Sequence, residues 1–225
     1  MQQRSIAIDG PAGAGKSTLA RALAQRLGYL YVDTGAIYRT VALQAKRQGA
    51  DPGNAAQVAD LLGRTEIRMA YGTDGIQHMY LNGEDVTREI RAHEISGLAS
   101  QVAAHPQVRD FLLEFQRSQA RDHDVVMDGR DIGTVVLPQA GVKVFLTAAP
   151  EARAQRRLAE LLQRGQQAQL DGILADIIRR DEQDRTRPVA PLRQAEDAVL
   201  LDTTDLDLEG SLAALESIVR ERLSL

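Results

Sequence analysis

The stretch "SIAIDGPAGAGKSTLARALAQRLG", residues 5–28, decides the fold. Its apolar run breaks at Gly10, and Leu19, Leu23 and Leu27 then recur every fourth residue until Gly28 supplies a stop, which predicts a strand, a glycine loop and a helix. Between strand and helix lie Gly10, Pro11, Ala12, Gly13, Ala14, Gly15, Lys16, Ser17 and Thr18, which fit the pattern G-x-x-x-x-G-K-[ST] without a mismatch. So little side chain lets backbone N–H groups wrap phosphate oxygens, and the helix start adds its positive end. Lys16 supplies a point charge to the outer phosphates, and the Ser17 hydroxyl is placed to ligate Mg²⁺. The pattern names a ligand class and no reaction.

Outward from this loop the chain keeps an α/β rhythm. "YLYVD" (29–33) reads as a second strand, and Ile37, Val41 and Ala45 in "TGAIYRTVALQAKRQG" (34–49) mark a second helix. The texture then changes. "DPGNAAQVADLLGR" (51–64) is a short capped helix, and "EIRMAY" (66–71) and "IQHMYLNGEDVT" (76–87) read as an antiparallel hairpin across the turn "GTDG" (72–75). Helical segments around 88–105 and 108–121 restore the rhythm. "DVVMD" (124–128) and "VKVFLTA" (142–148) are continuous apolar runs suited to central strands, and "AVLLDTT" (198–204) is a last strand. Helices are expected in "PEARAQRRLAELLQRG" (150–165), "ILADIIRRDEQDR" (173–185) and "LEGSLAALESIVRERL" (208–223). The expectation is a single α/β domain over 1–225: a three-layer αβα core on a five-stranded parallel sheet, with an antiparallel β insertion at about 51–95.

Composition narrows the function. At 225 residues and 44% hydrophobic content the chain can bury a full core. A formal net charge of -4 argues against a general nucleic-acid or membrane-surface binder. Cysteine is absent and four histidines are scattered, so disulfides and thiolate zinc sites are not expected. "MQQRSIAIDG" leads straight into a strand with no leader pattern, and no apolar run approaches a membrane span, so a cytoplasmic protein is expected. The guanine signature N-K-x-D and the transporter signature L-S-G-G-Q are missing, which favours a small-molecule kinase among phosphate-loop proteins.

Three further stretches suit a second anionic ligand. "DTGAIYR" (33–39) places Thr34 and Gly35 at a helix start with Arg39 a turn inward, although Asp33 or Thr34 serves equally as an N-cap. "DGRDIGTVV" (128–136) follows a buried strand, where Asp128 can hold Mg²⁺ directly or through water while Arg130 and Asp131 project into the cleft. "RRDEQDRTR" (179–187) sets Arg180, Asp184 and Arg187 on one face if the helix runs through Arg187, a pattern that solvated helix faces also show. In "EARAQRR" (151–157), Arg153 and Arg157 stand one turn apart, either to close over ATP as a mobile lid or to form surface ion pairs with Glu151 and Glu160.

Taken together, "IDGPAGAGKST", "DTGAIYR", "ISGLASQVAAHPQVRD", "DGRDIGTVV" and "RRDEQDRTRPVAPL" resemble the bacterial cytidylate kinases in content, order and spacing along essentially the whole chain. The resemblance implies transfer of the ATP γ-phosphoryl group to CMP or dCMP with Mg²⁺, by a protein expected to be a monomer. It implies that 51–95 is a nucleotide-binding subdomain and that about 150–170 is a short Arg-rich lid. It further implies that Gly10 to Thr18 bind ATP, that Thr34, Tyr38, Arg39, Ser100, Arg109, Arg130, Asp131, Arg180, Asp184 and Arg187 face CMP, and that Lys16, Arg130, Arg153 and Arg157 act in catalysis. Ser100 and Asp131 would read the cytosine edge, Asp184 the sugar hydroxyls, and Arg39, Arg130 and Arg187 the phosphate. The alternatives are a kinase of the same architecture for UMP, AMP or another acceptor, and a nucleotide-dependent binding protein.

Overall fold

In the computed structural model, which describes residues 4–72, 75–163 and 165–224, the opening stretch forms strand β1 (Ser5–Asp9) and helix α1 (Lys16–Leu27). Ile6, Ala7 and Ile8 are fully buried, as a strand covered on both faces requires. The remaining elements follow as β2 (Leu30–Asp33), α2 (Thr34–Arg47), α3 (Ala55–Leu62), β3 (Ile67–Tyr71), β4 (Gln77–Leu81), β5 (Glu84–Asp85), α4 (His93–Val102), α5 (Pro106–Asp122), β6 (Val125–Gly129), β7 (Val142–Thr147), α6 (Pro150–Gln163), α7 (Leu170–Thr186), β8 (Val199–Asp202) and α8 (Leu208–Leu223). The five-stranded parallel sheet has the order β2-β6-β1-β7-β8, and β3-β4-β5 form a separate three-stranded antiparallel sheet. Both sheets agree with the sequence expectation.

The chain divides into two compact units, one of residues 1–31 with 123–225 and the other of residues 32–122. In the first, β1 runs between β6 and β7, with Ile8 opposite Asp128 and Val144. Its core joins Ile6, Ile8, Leu19, Leu23, Val126, Val144, Leu146, Leu215 and Val219. Burying each of the larger of these aliphatic side chains stabilises the fold by roughly 1.5–3 kcal/mol. The Leu19 and Leu23 positions read from the four-residue spacing therefore face the core.

In the second unit α2 packs on α4 and β4, and α3 on α5. Asn54 caps α3 through its side chain, which accepts from the N–H groups of Ala56 and Gln57. The expected strand over 76–87 divides into β4 and β5, because Asn82 (φ 49) and Gly83 (φ 86) both take left-handed conformations and turn the chain. Two such residues in succession form the hairpin turn that Asn-Gly favours. The helical segment over 88–105 also divides, into a 3₁₀ turn at Glu89–Arg91 and α4, because Ala92 leaves helical geometry at ψ 142. Of the expected turn "GTDG", Thr73 and Asp74 lie outside the described residues. No helix among the described residues is long and apolar enough to cross a membrane.

Candidate active site

The loop 10–15 is built for close backbone approach. Gly10 adopts φ +152, and a Cβ there would lie 1.9 Å from the Leu146 carbonyl oxygen, so the chain can pass β7 only without a side chain. Gly15 caps α1 in the left-handed conformation with no side-chain hydrogen bond, and the first turn holds no acidic residue. The first turn thus brings no carboxylate of its own to compete with an anion.

Lys16 is buried at 5% exposure, and its Nζ donates to the Pro11 carbonyl at 2.7 Å, folding the side chain back over its own loop. Burial and then the nearby Arg130 charge lower its pKa to about 7, while Asp128, Asp184 and Asp9 oppose the shift. An incoming polyphosphate would supply the negative charge this ammonium lacks. The Ser17 hydroxyl donates to Asp128 Oδ2 at 2.9 Å, and the Tyr31 hydroxyl donates to Asp128 Oδ1 at 2.8 Å. Among the described residues no group of three or more His, Cys, Asp or Glu gathers to hold a metal. The Ser17 hydroxyl and the Asp128 carboxylate do suit Mg²⁺, an oxygen-seeking ion that takes one or two protein ligands and completes its shell with phosphate and water.

The segment after β6 is held from β1. Asp9 accepts hydrogen bonds from the N–H groups of Ile132 and Gly133, both at 2.7 Å, at the start of the π-helical turn Ile132–Val136. Burial raises its pKa to about 6, against these two donors and the positive charge of Lys16. Asp9 was not selected from the sequence, although a carboxylate ending an apolar strand immediately before the glycine loop was a usable signal.

On the same unit, the Arg130 Nε donates to Asp184 Oδ2 at 2.8 Å, and the Arg187 Nη2 lies 3.8 Å from Asp131 Oδ1. Burial works against the charge of Asp184, but Arg130, with Arg187 and Arg180 behind it, more than offsets that and holds its pKa below the usual carboxylate range. Helix α7 ends at Thr186, so Arg187 follows the helix instead of continuing its face, and its Nε donates to the Ala190 carbonyl at 2.7 Å. Arg130, Asp131, Arg180, Asp184 and Arg187 are nevertheless brought together, by side-chain reach and not by helical spacing.

In residues 32–122, Asp33 is the N-cap the sequence allowed, and it also pairs with Arg39, which the sequence did not suggest. Its Oδ1 caps α2 by accepting from the Ala36 N–H at 2.8 Å, and its Oδ2 pairs with the Arg39 Nη2 at 2.9 Å. A Cβ on Gly35 would come 3.0 Å from Arg39 Nη1 and 3.1 Å from Asp33 Oδ1, so a side chain there would crowd the ion pair. The Arg39 Nε is buried with no hydrogen-bond partner among the described residues, a donor left over for an anion. Thr34 is buried at the first residue of α2, and Arg109 stacks over the Tyr38 ring at 5.5 Å while donating to the Ala103 carbonyl. Ser100 sits half-buried on α4.

The two lid arginines part company. Arg157 pairs with Glu160 at 2.6 Å on a partly exposed face, the surface ion pair the sequence allowed. Arg153 is 2% exposed and bonded to Asp181, the Ala148 carbonyl and the Ala12 carbonyl, so it is anchored in this structure instead of mobile. Asp181 lies inside the quoted "RRDEQDR" segment but was passed over, because its partner stands 28 positions away in the chain.

A family model described as cytidylate kinase matches residues 6–221. A cytidylate kinase of Geobacter sulfurreducens is 52% identical over 217 residues, covering 96% of this chain and 93% of that protein. One from Symbiobacterium thermophilum is 52% identical over 199 residues, covering 88% of each. A solved structure of an uncharacterized protein from Eubacterium ventriosum shares the fold with a TM-score of 0.52 at 13% identity, over 99% of both chains.

Proposed function

The chain belongs to the cytidylate kinase family, and we propose on that premise that it transfers the γ-phosphoryl group of ATP to CMP or dCMP, giving ADP and CDP or dCDP. The observation that carries this reading is geometric. Ser17 of the phosphate loop donates to Asp128 at 2.9 Å, and Arg130, two residues further along the same segment, pairs with Asp184 at 2.8 Å, so the donor loop and the second-ligand cluster adjoin at the end of β6. Two adjoining phosphate grips suit a transfer between two phosphates better than a switch with one ligand.

The acceptor is a phosphate oxygen, already anionic near neutral pH because its second pKa lies near 6. The chain therefore needs no general base; it has to bring two polyanions together, cancel their repulsion and keep water out. Lys16 and the backbone of 10–18 hold the donor. Arg39, Arg130 and Arg187 are assigned to the CMP phosphate, Asp184 to the sugar hydroxyls, and Ser100 and Asp131 to the cytosine edge. Thr34, Tyr38, Arg109 and Arg180 complete the acceptor set, and Arg157 is assigned to the lid over about 150–170. Mg²⁺, held by Ser17 and Asp128, supplies charge neutralisation on the donor phosphates when bound.

The test is ADP release with ATP, Mg²⁺ and a panel of nucleoside monophosphates. CMP and dCMP should support the fastest turnover. Equal or faster turnover with UMP or AMP would replace the proposed acceptor, and no acceptor-dependent turnover would leave a binding protein.

A further inference from the structure

Arg153 makes more buried polar contacts than a lid residue needs. Its Nε donates to the Ala148 carbonyl at 2.8 Å, its Nη1 to the Ala12 carbonyl at 2.9 Å and to Asp181 Oδ1 at 3.1 Å, and its Nη2 to Asp181 Oδ2 at 2.5 Å. Ala12 belongs to the phosphate loop. Asp181 belongs to α7, adjacent to Arg180 and three residues before Asp184. Asp181 is itself only 7% exposed, so neither charge is solvated in compensation.

The bond to Ala12 has a directional consequence. A trans peptide points its N–H opposite to its C=O, so pinning the Ala12 oxygen also fixes the direction of the Gly13 N–H within the phosphate loop. Gly13 itself is in the left-handed conformation, and a Cβ on it would stand 3.6 Å from the Arg153 Cβ, so arginine and loop are packed as well as bonded. The two-pronged grip on Asp181 fixes the α7 turn that carries Arg180 and Asp184. Only a planar guanidinium can meet two carbonyls and both oxygens of a carboxylate at once.

We propose that Arg153 and Asp181 form a positioning pair that sets the donor loop and the acceptor-holding helix together, so that both nucleotides are gripped in one adjusted geometry. Arg153 acts through Ala12 and α7 and does not touch the transferring group. The proposal rests on the reading of the protein as an ATP-dependent CMP kinase.

Arg153→Lys and Asp181→Asn test it, each assayed for the KM of ATP and of CMP, for kcat, for the Kd of ADP by calorimetry, and for Tm. Each variant should raise both KM values and the ADP Kd by about tenfold, the size expected for loss of a buried charge-assisted hydrogen bond, with kcat changed less. A purely structural pair would lower Tm while leaving both KM values and the Kd within twofold of the parent, and that result overturns the proposal. A rise in one nucleotide's KM alone overturns it too, since the joint setting would be absent. If Arg153→Lys fails to fold, Asp181→Asn decides by the same criteria. A parent enzyme that ignores CMP would sink the functional reading, not the pair, whose effect on ADP affinity is read without an acceptor; an unchanged ADP Kd then overturns the pair as well.

Discussion

Lys16 is an ammonium held out of water before its ligand arrives. With burial and Arg130 lowering its pKa to about 7, the native state binds fewer protons than the unfolded chain between about pH 7 and 10. Its contribution to stability therefore rises with pH across that window, the reverse of a salt-bridged lysine. Polyphosphate binding should reverse the shift, because the anion stabilises the charged form. At pH 8 in metal-free buffer, ADP binding should take up more than about half a proton, measured as the dependence of calorimetric heat on buffer ionisation enthalpy. Lys16→Met should bind more weakly and abolish the uptake. An uptake below ~0.2 proton in the parent would show that Lys16 is already charged in the free protein.

At the scale of elements, the end of β1 does two jobs. Gly10 lets the chain pass beneath β7, and Asp9 fastens the turn that carries the segment after β6. Asp9 has a folded pKa of about 6, above the unfolded carboxylate value, so the native state binds the extra proton between about pH 4 and 6. Its contribution to stability is full below that window and falls as pH rises through it, by up to about 3 kcal/mol. Asp9→Asn removes the titration, so the stability difference between parent and variant in urea should shrink by about 2–3 kcal/mol from pH 4 to pH 7. Parallel pH profiles would mean that the carboxylate is ionised throughout. Asp9 also shows where sequence reading stops. The strand, loop and helix around it were legible because their signals are local: an apolar run, glycines, and leucines at one helical spacing. That the carboxylate reaches Ile132 and Gly133 is set by parallel pairing of β1 with β6, which no local pattern contains. The buried pairing of Arg153 with Asp181 was obscure for a like reason, since charge in a sequence carries no label for burial. The two-residue β5 was merged into the expected strand over 76–87, because a strand that short exists only by its ladder to β4.

For the whole molecule, the alternation of strands and helices was enough to infer a parallel sheet, since short connections and right-handed crossovers leave few other arrangements. The division at Tyr31 and His123 was less legible, because no linker marks it and β2 continues through the first boundary. It matters for how ligand binding is distributed. Every residue of the phosphate loop, Gly10 to Thr18, belongs to the unit built from 1–31 and 123–225. ATP alone at about a hundred times its Kd should stabilise the protein by ~2.7 kcal/mol, raising Tm by roughly 5–10 °C for a chain of this size. Native-state hydrogen exchange should slow in β1, α1 and β6 on adding ATP, while the β3–β4 ladder, which lies in 32–122, keeps its free-state rates. Equal slowing in that ladder would mean that the two units open as one cooperative block, and ATP would then protect every amide that exchanges only by global unfolding.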